Sequence, residues 1–72
     1  MKEDIADTIT QFLERHEGMT LQRFAQLYDR TGRTTATSVW RWAHRKVTPS
    51  TSTQRLLVQF MKRKDREARR AS

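Results

Sequence analysis

Ile5, Ile9, Phe12 and Leu13 recur at i, i+4, i+7 and i+8. That spacing lays four large apolar side chains along one face of an α-helix and along no face of a strand. The same period returns in Leu21, Phe24, Ala25 and Tyr28, at i, i+3, i+4 and i+7, and again in Leu56, Leu57, Phe60 and Met61. No segment alternates convincingly between apolar and polar residues, and no internal repeat is present. A chain of 72 residues buries only about 60% of the surface its unfolded form exposes. Short helices sharing one small core are what such a pattern permits, and the expected fold class is all-α, a single domain over residues 1–72.

Local signals set the expected boundaries. Residues 1–17 hold an acidic first helix running from Asp4 to His16, with Gly18 placed to close it in the left-handed conformation. Thr20 is suited to cap a second helix that ends near Asp29. The polar stretch Arg30-Thr31-Gly32-Arg33-Thr34-Thr35 reads as a loop. A third helix is expected from Thr35 or Ala36 to about Arg45. Lys46-Val47-Thr48-Pro49 is a connector, because proline pushes Thr48 out of helical geometry. Thr51-Ser52-Thr53-Gln54 matches a capping box and opens the final helix, 51–72, which carries a basic tail. That tail, Lys62–Arg70, contains no apolar residue but alanine. It is expected to extend the helix as a solvated end that frays toward Ser72, with Asp65 and Arg69 as an i, i+4 pair. A sequence-independent grip on phosphate and a docking segment for a protein are its other readings.

Both tryptophans of the chain fall in the stretch SVWRWAHR, residues 38–45. Two positions apart on a helix, they point about 200° from each other, so one core cannot take both. Stepping 100° per residue from Val39 brings Thr35, Ala36, Trp42 and Ala43 onto the inner face. Thr37, Ser38, Arg41, His44 and Arg45 fall on the outer face, and Trp40 lies at the margin. Trp42 is therefore expected in the core with Val39.

Charge adds a direction to this scaffold. The net charge is +7, and it is unevenly spread: residues 1–17 balance to −3 and residues 18–72 to +10. Eleven of the fifteen bases are arginine, and no acidic residue occurs between Arg30 and Lys64. A helix face kept only for solubility would mix signs, whereas the planar arginine fork suits phosphate and guanine edges. A polyanion is the first partner to consider. Other classes lack support. There is no cysteine, and the two histidines, His16 and His44, lie on different helices, so no metal site is expected. The chain has only two glycines, too few for a phosphate-cradling loop. No serine or threonine has an evident histidine and acid partner. The expectation is a protein that is not an enzyme and needs no cofactor or small-molecule substrate. No apolar run approaches a membrane span, and Met1-Lys2-Glu3-Asp4 does not look like a signal peptide, so a cytoplasmic, nucleoid-associated location is expected.

Four short helices with a polar loop between the second and third suggest a helix-turn-helix over residues 20–45. In its residues the chain resembles the phage repressor and Cro-type family. Val39-x-x-Trp42, then Arg45-Lys46 and Pro49-Ser50, look like that family's recognition helix, basic turn and Pro-Ser start of the next helix. Phe24-Ala25 is similar to the Leu-Ala of its second helix. The likeness covers about residues 20–57, with one departure. The stretch from Ala25 to Trp42 is roughly three or four residues longer than usual in such motifs, which places the extra length around Asp29–Thr34.

What the resemblance implies is a Cro/repressor-like domain of four to five short helices that binds double-stranded DNA as a homodimer. Such a protein would regulate transcription, as a repressor of phage or mobile-element type in a bacterial cell. Thr37, Ser38, Arg41 and Arg45 are the candidate base contacts, and Arg33, Thr35, His44 and Lys46 the candidate phosphate contacts. Phe24, Ala25, Val39, Trp42 and Leu56 are the expected core of the motif. The extra loop, with Arg30 and Arg33, reads equally as a backbone contact or a plain surface insertion. Trp40 stands where the family commonly has a small polar residue facing DNA. It is suited to a sugar or a thymine methyl, to a protein interface, or to partial burial under the longer loop, the placement favoured here. Helix four could supply the dimer surface, yet its apolar residues are equally what the core needs. Two rival functions remain. One is a protein-interaction module, an inhibitor or antitoxin anchored by Trp40, Phe60 and Met61; the other is a non-specific nucleic-acid binder.

Overall fold

A computed structural model describes residues 4–71; Met1–Glu3 and Ser72, with the expected fraying there, lie outside the described residues. Its order is α1 (Ile5–Arg15), α2 (Leu21–Tyr28), α3 (Ala36–Ala43) and α4 (Thr51–Ala71). Every described element is helical. At about 1.5 Å per residue α4 is about 32 Å long, comparable with the longest dimension of the molecule, 34 Å. The basic tail is the second half of this helix.

Each helix begins where a side chain satisfies a backbone N–H that the helix itself leaves unpaired. Asp4 accepts from the Ala6 N–H at 3.0 Å, Thr20 from Arg23 at 3.0 Å and Thr35 from Ser38 at 3.2 Å. For α4 the capping residue is Ser50, not Thr51: the Ser50 hydroxyl accepts from the Thr53 N–H at 3.3 Å and its carbonyl takes the first helical bond, from Gln54, at 2.8 Å. Gln54 does not close a capping box; its amide donates to the Pro49 carbonyl. Buried Pro49 sets this entry.

Two helix ends differ from expectation. Gly18 does not close α1, since among the described residues only Gly32 and Arg45 have φ in the left-handed region. The chain leaves α1 through His16 at φ −113°, ψ 77°, and a bond from the Met19 N–H to the His16 carbonyl makes the turn. Helix α3 stops at Ala43, so Arg45 is not part of it. Arg45 has φ 59°. Bonds from the Lys46 N–H to the Arg41 carbonyl (2.8 Å) and from the Arg45 N–H to the Trp42 carbonyl (3.4 Å) form the left-handed closure that usually employs glycine.

The core is aromatic. Phe12 of α1, Phe24 of α2 and Phe60 of α4 meet with ring centroids 5.1–6.2 Å apart. Tyr28 packs edge-on against Phe60, and Trp42 edge-on against Tyr28. Such edge contacts add about 0.5–1.5 kcal/mol each beyond area burial. Ile5, Ile9, Ala25, Val39, Leu57 and Met61 complete the core. Trp42 is half-buried rather than enclosed. Leu56 is not core at all: it is 55% exposed, because α4 turns Leu57, one residue later and 100° around, into the core. Phe60 and Met61 are buried and so cannot anchor a partner.

Candidate nucleic-acid interface

Helices α2 and α3 pack together, with α1 against α3. The connector between them, residues 29–35, is organised by one carboxylate. Asp29 accepts from the Thr31 hydroxyl, from the Thr31 N–H at 3.0 Å and from the Thr34 hydroxyl at 3.0 Å. These bonds, the Thr31 hydroxyl first, hold the Asp29 carboxyl below its ordinary 3.8. Gly32, at φ 83°, supplies the left-handed step that the turn requires. The long connector is thus an ordered turn whose acid is spent internally.

Val39 is completely buried and fixes which side of α3 faces out. Thr37 and Arg41, one turn apart on the opposite side, are exposed. Ser38 is half-buried, with its hydroxyl 3.3 Å from that of Thr35, so the pair is engaged in the helix start. Lys46 is exposed just beyond the end of α3. Neither Arg33, Arg41 nor Lys46 joins an ion pair among the described residues.

Arg45 is differently placed. Its Nε donates to Asp4 and its Nη2 to Asp7, both at 2.7 Å. The hydrogen bond from the Ala6 backbone, and then Arg45, hold the Asp4 carboxyl below its ordinary value. Arg45 thus ties the end of α3 to the start of α1. It does not stand beside Arg41 on the outer face of α3, as the sequence had suggested.

Trp40 is 41% exposed and stacks on His44, with ring centroids 4.3 Å apart and planes 21° from parallel. His44 Nδ1 lies 2.9 Å from the Trp40 carbonyl. A carbonyl only accepts, so Nδ1 carries the hydrogen and Nε2 points away from this bond. Trp40 does not lie under the connector. It borders a notch with Leu21, Ala36 and Thr37. The tryptophan beside the connector is Trp42, which with Tyr28, Asp29, Arg33, Leu56 and Arg63 lines a cleft of about 530 Å³ between the connector and α4. Arg33 therefore sits on the Trp42 side of α3, away from Trp40. Burial pushes the Tyr28 phenol up from its ordinary value.

The candidate face unites Thr37, Arg41, Trp40 and His44, with Lys46 following. Leu21 borders it, although its place in the stripe of α2 marked it only as core. Among the described residues no three of His, Cys, Asp and Glu gather where a metal ion would be held. No helix among them is long and apolar enough to cross a membrane. No protein-family model, curated protein or solved structure matches the chain.

Proposed function

We propose that α2, the connector and α3 form a helix-turn-helix of Cro/repressor type, and that the protein binds double-stranded DNA in a sequence-specific way as a transcriptional repressor. The observation that carries this is the outer face of α3. It is exposed and polar, holds Arg41, and has no carboxylate within a stretch that runs from Arg30 to Lys64. The nearest acids support the reading, because Asp29 is bound into its turn and Asp4 and Asp7 are bound to Arg45.

In this reading α3 enters the major groove. Arg41 gives two hydrogen bonds to a guanine edge, and Thr37 contacts the neighbouring base or phosphate. Lys46 and His44 meet phosphate, which fixes position without reading sequence. Ser38 and Thr35 act mainly as the start of the helix. Arg45 acts as a brace and Arg33 lies off the face. A dimer would place two such faces one helical turn of DNA apart.

Selection from a random double-stranded DNA library at two salt concentrations tests the reading. The expected outcome is an enriched palindrome with half-sites about 10 base pairs apart. Arg41→Ala should then relax preference at one base pair, costing about 1–3 kcal/mol there. Lys46→Ala should weaken all sequences alike and reduce the salt slope by about one. A bound pool without a motif, lost at higher salt, would leave only a basic surface. Exposed Trp40 and Leu56 would then direct the search to protein partners.

A further inference from the structure

The notch beside Trp40 is built from two helices. Leu21 comes from the first turn of α2, Ala36 and Thr37 from the first turn of α3, and Trp40 closes it one turn on. Its volume is about 270 Å³, and three of its four walls are hydrocarbon or indole. Trp40 is held in place by its stack on His44, and the His44 ring is itself fixed by its bond to the Trp40 carbonyl. An indole held this way forms a stiff wall.

Position decides what this notch meets. Thr37 belongs both to the notch and to the outer face of α3, and Arg41 is one turn from it. The apolar hollow therefore opens at the edge of the surface proposed to enter the major groove. Arg41, one turn from Thr37 and without an ion-pair partner among the described residues, favours a polyanion over an acid-free apolar partner. On the floor of the major groove the one apolar group that a base pair presents is the C5-methyl of thymine.

We infer that Leu21, Ala36, Thr37 and Trp40 form a receptor for a pyrimidine C5-methyl group, making Trp40 a specificity-determining residue. The inference rests on the DNA-binding reading above. It adds a chemical identity for one base of each half-site: thymine, or cytosine carrying the same methyl. Arg41 and this notch would read adjacent positions by different means, one by hydrogen bonds and the other by apolar contact.

The test begins with the operator duplex selected from the random library. Each thymine is replaced in turn by deoxyuridine, which removes only the methyl. At one position per half-site the wild-type protein should bind about fourfold more weakly, the value of one buried methyl-sized group. At that position 5-methylcytosine should bind better than cytosine by a similar factor. In Trp40→Ala, checked for intact helical dichroism, the thymine-to-deoxyuridine ratio should fall to about one while Arg41-dependent preference persists. A selected operator with no deoxyuridine-sensitive position would overturn the notch and leave the DNA reading standing. Sensitivity that survived unchanged in Trp40→Ala would overturn it as well. Failure to select any motif would overturn both.

Discussion

Arg45 combines two roles that are usually separate. Its backbone takes the left-handed conformation that ends α3, and its guanidinium holds Asp4 and Asp7. A side chain at positive φ costs roughly 1 kcal/mol relative to glycine, while exposed ion pairs contribute roughly 0–1 kcal/mol each. The two substitutions that remove the guanidinium therefore separate these effects. Arg45→Ala keeps the strained backbone and loses the pairs; Arg45→Gly loses the pairs and the strain together. Urea unfolding should find the glycine variant about 1 kcal/mol more stable than the alanine variant. An alanine variant of equal or greater stability would mean that α3 does not end in this way. None of this was legible in the sequence, because a basic residue after a helix reads as a surface charge. The tryptophans were more legible. The 100° step sent Trp42 inward with Val39, and it does pack on Tyr28. It could not show that Trp40 would stack on His44, since that depends on rotamers.

At the scale of elements, the apolar period was sufficient to find α1, α2 and α4, and the polar loop before α3 marked that helix; the errors lie at helix ends and edges. Leu56 shows why. It adjoins Leu57 in a run of apolar residues, and only the direction from which α1 and α2 approach decides which of the two is buried. The start of α4 at Thr51 agrees with the sequence reading, but the cap was misplaced by one residue because Ser50, Thr51, Ser52 and Thr53 all carry hydroxyls suited to it. The fold resolves the choice through Pro49, which is buried and puts Ser50 at the boundary. Ser50→Ala should thus cost about 1 kcal/mol of stability, whereas Thr51→Ala, inside the first turn and exposed, should change it by no more than about 0.5 kcal/mol. Thermal unfolding of the two variants makes the comparison; the reverse order would return the cap to Thr51.

Across the whole molecule, the ion pairs of α1 engage selected partners at its two ends rather than the surface at large. Asp4 and Asp7 clasp Arg45 at the start of α1. At its other end Arg15 and His16 donate to Asp65 of α4, at 3.0 and 2.7 Å. The uneven charge was plain in the sequence, but the contacts of Asp65 with Arg15 and His16 were not, because contacts from another helix leave no mark in local spacing. Burial raises the Asp65 pKa, yet the hydrogen bonds from His16 and Arg15 outweigh it and bring the carboxyl below its ordinary 3.8. Asp4 and Asp29 are lowered too. In the folded state these carboxylates keep their charge at pH values where the unfolded chain takes up protons. Stability therefore rises with pH through this window, is fully present above about pH 5, and is lost as pH falls below 3.8 toward the folded values. Asp65→Asn removes one contributor. Its unfolding midpoint should lie below that of the parent at neutral pH, and the two curves should approach each other as pH falls below 3.8. Midpoints that remained parallel down to pH 3 would show that the contribution of Asp65 does not depend on its charge, and coincident midpoints at neutral pH that its contacts with α1 contribute nothing.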